Sequence, residues 1–131
     1  MAGSRWVKLD AEYLENPKIH GLSHAAFRLH VAMITYCARE LTDGHISQLG
    51  VKTCAVRCQI SVNTRISSLS KLVDAGLLEP CDDGYMLHDF LAMNPQLERS
   101  VVEARRKRWR SKKHTDDDQF PGGNPRELPR A

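Results

Sequence analysis

Residues 61–76 have the sequence SVNTRISSLSKLVDAG, which combines helix-capping residues with helical spacing of apolar ones. Ser61 is a favourable N-cap and Gly76 a favourable residue just past a helix end, so we predict a helix over about 62–75. At 100° per residue, four apolar side chains share one stripe with Leu72 beside it: Val62, Ile66, Leu69 and Val73. The opposite face is expected to expose small or cationic side chains: Asn63, Thr64, Ser67, Ser68 and Lys71. Solvated helix faces usually carry pairs of Glu and Lys, and this face has no acid.

Two further helices are predicted upstream. The first spans about 24–41 after the N-cap Ser23, with apolar residues at helical spacing: Ala26, Leu29, Met33, Ile34, Cys37 and Leu41. The second spans about 48–57 after the N-cap Ser47, and we expect Leu49 and Val56 to be its buried residues. A short extended bridge at His45-Ile46 and a tight break at Gln59-Ile60 would connect the three helices. Before them, residues 6–9 are expected to be extended, followed by a helical turn that Asp10 caps and Asn16-Pro17 stops.

The residues after Gly76 predict a β-hairpin and then a basic helix. Strands are expected at 77–81 and 85–90, with Asp82-Asp83-Gly84 as the turn. Asn94 as cap and Pro95 at the first helical position are expected to begin a helix that runs to about Lys112. The fold class predicted is therefore mainly α with a small β-hairpin, in the element order of a winged helix-turn-helix. We divide the chain into a winged helix-turn-helix domain at 1–93, a basic C-terminal helix at 94–113 and a disordered tail at 114–131.

Charge is unevenly distributed along the 131 residues. The net charge of +3 is the sum of −1 over residues 1–97 (nine Lys/Arg, ten Asp/Glu) and +4 over residues 98–131 (ten Lys/Arg, six Asp/Glu). Between Gly44 and Val73 there is no Asp or Glu, while four cations occur: Lys52, Arg57, Arg65 and Lys71. Local positive charge of this kind attracts polyanions through counterion release.

These patterns predict binding to double-stranded DNA, because the helix after the tight break of a helix-turn-helix enters the major groove. Asn63 suits a bidentate contact to adenine, and Thr64, Ser67 and Ser68 suit bases or phosphates. Lys71, Lys52 and Arg57 are expected to contact phosphates, with Arg65 nearer the flank. Further phosphate contacts are expected from the basic helix: Arg105, Arg106, Arg108 and Arg110. The acidic turn Asp82-Asp83 would repel phosphates, so it is expected to stay off the DNA or to serve packing or a partner protein.

Several stretches resemble a family of small actinobacteriophage helix-turn-helix DNA-binding proteins, which are themselves similar to the winged-helix N-terminal domains of phage replisome organisers. The resemblance covers about residues 5–113 and is carried by WVKLD (6–10), LTDGHI (41–46), LVDAGL (72–77), DGYMLHDFL (83–91), Asn94-Pro95 and the Arg-rich helix. It implies a role in replication initiation or transcriptional regulation in the cytoplasm of a bacterial host cell. It implies no DNA-contacting residues beyond those placed by the helical pattern.

Other interpretations remain open at this point. The same fold can serve as a protein-interaction module that docks a host or phage replication or transcription protein. The basic helix can be a solvated tail. If the protein binds DNA, it can do so as a homodimer. No catalytic motif occurs, so we expect no enzyme activity and no cofactor. A zinc site can be drawn from three cysteines and one histidine: Cys54, Cys58 and Cys81 with His45 or His88. These residues lack paired CxxC spacing, so reduced thiols and no metal are expected. The absence of a long apolar run argues against a membrane span or a secretion signal.

Overall fold

Helices make up most of the chain, and they pack with one small antiparallel sheet. The computed structural model describes residues 5–118, with side chains as far as Ser111. The helices are α1 (Pro17–His20), α2 (His24–Glu40), α3 (Gln48–Arg57), α4 (Val62–Asp74), α5 (Phe90–Met93) and α6 (Glu98–Asp118). The strands are β1 (His45–Ser47), β2 (Leu78–Cys81) and β3 (Gly84–Leu87), and short 3-10 turns occupy Tyr13–Glu15 and Pro95–Leu97. The chain divides into two units, one ending at Glu98 and one beginning at Arg99. None of the helices in the described range is long and apolar enough to cross a membrane.

The three serines predicted to cap helices do so. The side-chain oxygens of Ser23, Ser47 and Ser61 accept hydrogen bonds at 3.1–3.2 Å from backbone N–H groups three residues later. Each bond satisfies one of the N–H groups that a helix start leaves without a partner. The starts of α2, α3 and α4 therefore follow from local sequence, as predicted.

The ends of α3 and α4 share one backbone motif. Gln59 (φ 59°) and Gly76 (φ 78°) both adopt the left-handed conformation just past a helix. The following N–H groups, of Ile60 and Leu77, donate back into the last helical turn at 3.0 Å, which is the hydrogen-bond pattern of a Schellman motif. This confirms the predicted break at Gln59-Ile60 and the predicted end at Gly76, and it leaves four residues between α3 and α4.

The predicted hairpin is present and forms part of a three-stranded sheet. The strand order is β1-β3-β2 with all pairs antiparallel. The bridge predicted at His45-Ile46 is β1, which pairs with β3 rather than only linking two helices. The second strand ends at Leu87, earlier than predicted, and Phe90 instead begins α5.

The core lies between α2, α3, α4 and the inner face of the sheet. Its largest fully buried apolar side chains within residues 5–98 come from these elements: Leu29, Met33, Ile46, Val51, Leu72 and Leu78. Because α2 packs against both α3 and α4, it fixes the directions in which the outer faces of those two helices point.

The prediction that Leu49 and Val56 bury α3 is wrong. Their exposed fractions are 73% and 75%, and α3 instead buries small or medium side chains: Gly50, Val51, Cys54 and Ala55. A Cβ at Gly50 would lie 2.8 Å from the hydroxyl oxygen of Tyr36. Since α3 approaches its neighbours so closely, small residues rather than the larger apolar ones fill this interface.

The two Asn-Pro pairs match their predicted roles only in part. Asn16 ends the 3-10 turn at Tyr13–Glu15, as predicted, and it also begins α1. Its side chain accepts from the N–H of Lys18 at 2.9 Å, and Pro17 takes the first helical position. Asn94 precedes the 3-10 turn in which Pro95 takes the first position, as predicted, but the side chain of Asn94 makes no capping hydrogen bond there. Its buried side chain accepts from the N–H of Lys8 at 2.7 Å and donates to the carbonyl of Phe90 at 3.1 Å. It therefore fastens the N-terminal segment to the end of α5.

The basic helix begins and ends later than predicted. It begins at Glu98, after the 3-10 turn, and its backbone continues to Asp118 rather than ending near Lys112. Residues 114–118 of the tail predicted to be disordered are therefore helical, and residues 119–131 lie outside the described part of the chain.

The buried His30 of α2 pairs with the half-buried Tyr13 of the first 3-10 turn. The hydroxyl of Tyr13 and Nδ1 of His30 form a hydrogen bond at 2.7 Å, and the two rings are nearly parallel. Burial lowers the pKa of His30 to about 4 and raises the pKa of Tyr13 to about 12. Both groups are therefore neutral in the folded protein at pH 7.

The assignment of buried and exposed faces on α3 and α4 can be tested by one matched pair of Leu→Ala substitutions. Leu72→Ala removes a fully buried side chain and is expected to reduce the free energy of unfolding by about 2–5 kcal/mol. Leu49→Ala makes the same chemical change at an exposed position and is expected to shift it by about 0.5 kcal/mol or less. Urea denaturation measures both values, and a larger loss for Leu49→Ala than for Leu72→Ala would contradict this assignment of the core.

His30 should make stability depend on pH. Because its pKa is lower in the folded chain than the unfolded value of 6.5, the unfolded state binds more protons between about pH 4 and 6.5. The free energy of unfolding should therefore decrease as the pH is lowered, and this group should contribute a loss of about 2 kcal/mol between pH 7 and pH 5. Urea denaturation at the two pH values is expected to show this loss in the wild type and in His24→Gln, whose histidine is exposed. The dependence should shrink in His30→Gln, and an unchanged dependence there would refute the assignment.

Candidate nucleic-acid interface

The outward face of α4 is rotated about the helix axis by roughly 65° from the predicted face, at 100° per residue. The side chains that point away from the core are Val62, Asn63, Thr64, Ile66, Ser67, Ser70, Lys71 and Asp74. The face is centred on Asn63, Ser67 and Ser70, with Ile66 along one edge and Thr64 and Lys71 along the other. We call it the α4 outer face.

Three predictions about α4 are corrected by this rotation. Ser68 is only 2% exposed, so its placement on the outward face is wrong. Val62 and Ile66, predicted to lie in the core, are each 59% exposed. Ser68 is buried together with Leu69 and Leu72, and its small side chain lets α4 lie close to its neighbours.

The first turn of α4 holds two of the predicted DNA-contacting residues. Asn63 and Thr64 are exposed. The N–H and Oγ1 of Thr64 both bond to Ser61, at 3.2 and 3.0 Å. Thr64 therefore helps to hold the helix start, whereas the amide of Asn63 extends from the same turn at the surface.

The two predicted cations of α3 lie in different places. Lys52 is exposed on the same helical stripe as Leu49 and Val56. Arg57 instead lines an open cleft of about 660 Å³ between α2 and α3, where Arg28 and Arg39 also lie. The structure therefore does not gather Lys52 and Arg57 into one patch.

A groove of about 370 Å³ runs between α4 and the sheet. Its α4 wall includes the half-buried Arg65 with Ile66 and Ser70, and its sheet wall is Pro80 and Tyr85. Arg65 thus belongs to the flank of α4, as predicted, and its neighbours across the groove are apolar or aromatic. Sequence reasoning missed Ile66 and Ser70 as surface residues. The helical spacing of Leu69, Leu72 and Ala75 was the signal that could have placed Ile66 and Ser70 at the surface.

Acidic groups lie at two edges of this region. Asp74 ends α4 on the outer face, about 16 Å along the helix from Asn63. Asp82 and Asp83 form the β2–β3 turn, where Oδ1 of Asp83 lies 2.8 Å from Nε2 of His45. The first three turns of α4 are therefore free of acid, while the hairpin tip carries carboxylates.

The basic residues predicted on the C-terminal helix are exposed on α6: Arg105, Arg106, Arg108 and Arg110. At 100° per residue they point in several directions around the helix. One ion pair within α6 joins Arg99 and Glu103 at 3.4 Å. Trp109 is 63% exposed, so this helix presents both cationic and aromatic surface.

All four cysteines lie in the described part of the chain, and none forms a disulfide. The Cys54 and Cys58 thiols each donate to a backbone carbonyl of α2 at 3.7 Å. Burial raises the pKa of Cys37 to about 12 and that of Cys54 to about 11, so both are protonated at pH 7. Cys81 is exposed and lies with His45 and Asp83, the one group of three metal-ligand side chains found among the described residues.

Comparisons with protein-family models, curated proteins and solved structures find no match to this chain.

Proposed function

We propose that this protein binds double-stranded DNA as a non-enzymatic winged helix-turn-helix protein. In this proposal α3, the four-residue turn and α4 are the helix-turn-helix, and the three-stranded sheet is the wing. The α4 outer face enters the major groove, which is wide enough for one helix.

One observation carries the proposal: along its first three turns the α4 outer face exposes short polar side chains and Lys71, with no acid among them. A helix placed between two rows of phosphates needs such a face, because each carboxylate there would be repelled. The exposed polar residues are also short, which allows the helix backbone to approach the base edges.

The exposed side chains have matching partners on base pairs. The amide of Asn63 has the donor and acceptor arrangement for adenine N7 and N6. Ser67 and Ser70 can donate or accept at any base, and the exposed Ile66 offers an apolar contact for a thymine methyl group. Lys71 and Lys52 are assigned to phosphates, as is Thr64.

The other predicted contacts take secondary places in this proposal. Ser68 is excluded by its burial, while Arg65 and Arg57 lie along grooves beside α4 and α3. The acidic turn at Asp82-Asp83 stays off the DNA. The α6 arginines add affinity along the backbone without reading sequence.

The biological role that we propose is replication initiation or transcriptional regulation by a phage-type protein in the cytoplasm of a bacterial host. The site favours neither role, and both a monomer and a homodimer fit it. Selection from a random duplex pool separates them, because an enriched palindrome indicates a dimeric regulator and repeated short sites indicate an origin-binding protein.

Two substitutions on α4 test the recognition helix. On a duplex from such a selection, Asn63→Ala is expected to weaken binding by about 1–3 kcal/mol and to relax preference at one base pair. Lys71→Ala is expected to weaken binding to all duplexes and to reduce the slope of log affinity against log salt by about one. Fluorescence anisotropy across a salt series measures both effects.

Lys8→Ala is the matched control for the lysine. It removes the same charge from an exposed residue of the N-terminal segment, outside the α4 groove, and should leave affinity nearly unchanged. Wild-type affinity for both α4 variants would show that α4 does not read DNA.

A docking module for a replication or transcription protein is the second candidate, and one observation favours it. Four large apolar side chains are exposed on the two helices of the helix-turn-helix unit: Leu49, Val56, Val62 and Ile66. Exposed apolar clusters are typical of protein interfaces. In that case DNA affinity would come from α6 alone.

Substitution of the α6 arginines distinguishes the two candidates in the full-length chain. Gln replaces Arg105, Arg106, Arg108 and Arg110 together, because it has similar helix propensity and no charge. If α4 reads DNA, the variant is expected to keep its preference for the selected sequence while its salt slope falls by up to about 3.6. Complete loss of DNA binding, combined with wild-type behaviour of Asn63→Ala, would instead support the docking module. Circular dichroism checks that α6 remains helical.

A further inference from the structure

Three potential metal ligands from separate parts of the sheet meet on its outer surface. They are Nε2 of His45 on β1, Sγ of Cys81 on β2 and a carboxylate oxygen of Asp83 in the turn, and all lie within 4.8 Å of one another. From the sequence, Cys81 and His45 were considered only together with Cys54 and Cys58, and Asp83 was not included, because His45 is more than thirty residues from Cys81 and Asp83. This group is separate from the α4 outer face, and its proposed role does not depend on DNA binding.

The strand register explains why these side chains meet. Paired residues of an antiparallel sheet point to the same face, and Gly84 of the central strand pairs with Ser47 on one side and Cys81 on the other. His45 pairs with Met86, so it lies on that same face two residues from Ser47. The outer strands are about 9.5 Å apart, and Gly84 places no side chain between them.

Gly84 is required at this position by close backbone approach. A Cβ there would collide with the carbonyl oxygen of Ile46. The same glycine therefore allows β1 to lie tightly on β3 and leaves the space above the central strand open for His45 and Cys81.

The turn is held in place before any ion binds. The N–H of Gln48 donates to the carbonyl of Asp83 at 2.8 Å, and Oδ1 of Asp83 lies 2.8 Å from Nε2 of His45. The Asp83 carboxylate is thus already directed toward the imidazole. Only modest movement is needed to coordinate an ion, because N, O and S ligands at about 2.0–2.3 Å in a tetrahedral site are about 3.3–3.6 Å apart, and the three ligand atoms already lie within 4.8 Å of one another.

We propose that His45, Cys81 and Asp83 form a surface site for a zinc-class divalent cation, with water in the fourth position. A nitrogen, a thiolate and one carboxylate suit zinc or cobalt, whereas Mg²⁺ and Ca²⁺ require more oxygen ligands. On binding, the Cys81 thiol loses its proton to solvent and the imidazole carries its remaining proton on Nδ1. The exposure of Cys81 and Asp83 lets an ion reach the site directly.

Cobalt(II) titration of the untagged full-length protein tests the proposal, because thiolate-bound Co²⁺ has a charge-transfer band in the near ultraviolet. We expect this band to saturate at one equivalent, to disappear when Zn²⁺ is added and to persist with Mg²⁺ or Ca²⁺. Cys81→Ser is expected to abolish the band, and Asp83→Asn to weaken cobalt affinity by about tenfold or more. Both residues are exposed, so both variants should fold, which circular dichroism verifies.

His88→Asn is the matched control. His88 and Asp89 form another exposed histidine–aspartate pair, 3.0 Å apart, and neither belongs to the group of ligands around Cys81. The control is expected to bind cobalt like the wild type. The proposal is overturned if the band survives in folded Cys81→Ser, if His88→Asn lowers affinity as much as Asp83→Asn does, or if the wild type shows no band with cobalt in excess.

Discussion

The packing of α4 against α2 determines which residues this protein presents at its surface. Leu69 and Leu72 point inward from α4, and the small side chain of Ser68 is buried with them. Once these three positions are buried, helical geometry requires Asn63, Ser67 and Ser70 to face outward. The proposed contact surface is therefore a consequence of core packing on the opposite side of the helix.

Local features of the sequence predicted much of this fold. The serine caps, the break at Gln59-Ile60 and the glycine after α4 depend on a few adjacent residues, and the structure confirms each of them. The rotation of α4 was missed because two large apolar residues, Val62 and Ile66, lie near its start and bias the helical pattern toward themselves. Leu49 and Val56 misled the assignment of α3 in the same way. α3 buries smaller residues instead, and α4 buries Ser68 together with Leu69 and Leu72. Small residues at buried positions permit close helix packing, and a pattern of hydrophobicity alone does not predict how closely two helices approach.

Long-range register was the other part that the sequence could not supply. The zinc site considered from the sequence combined Cys54, Cys58 and Cys81 with His45 or His88, but the Cys54 and Cys58 thiols are directed at the α2 backbone inside the core. Cys81 meets His45 and Asp83 only because β1 joins the hairpin as a third strand at one particular register. The sequence indicated an extended bridge there, and nothing local to that bridge specifies its partner strand.

The distribution of charge and apolar surface ties the two proposals to different parts of the molecule. The first three turns of the α4 outer face have Lys71 and short polar groups where a polyanion would lie, while a pair of carboxylates lies at the β2–β3 turn. An ion held by His45, Cys81 and Asp83 would offset negative charge at that turn, so metal binding would alter the electrostatics of the hairpin without touching α4.

The exposed apolar residues of α3 and α4 have a different role in each candidate function. Against DNA, Ile66 lies among polar groups that can read base edges, and one apolar contact to a thymine methyl group complements them. Against a protein, the same residue would have to join Leu49 and Val56 in a continuous apolar contact. The density of small polar residues around Ile66 on α4 favours the first arrangement, because a protein-docking face gains little from Asn63, Ser67 and Ser70 at its centre.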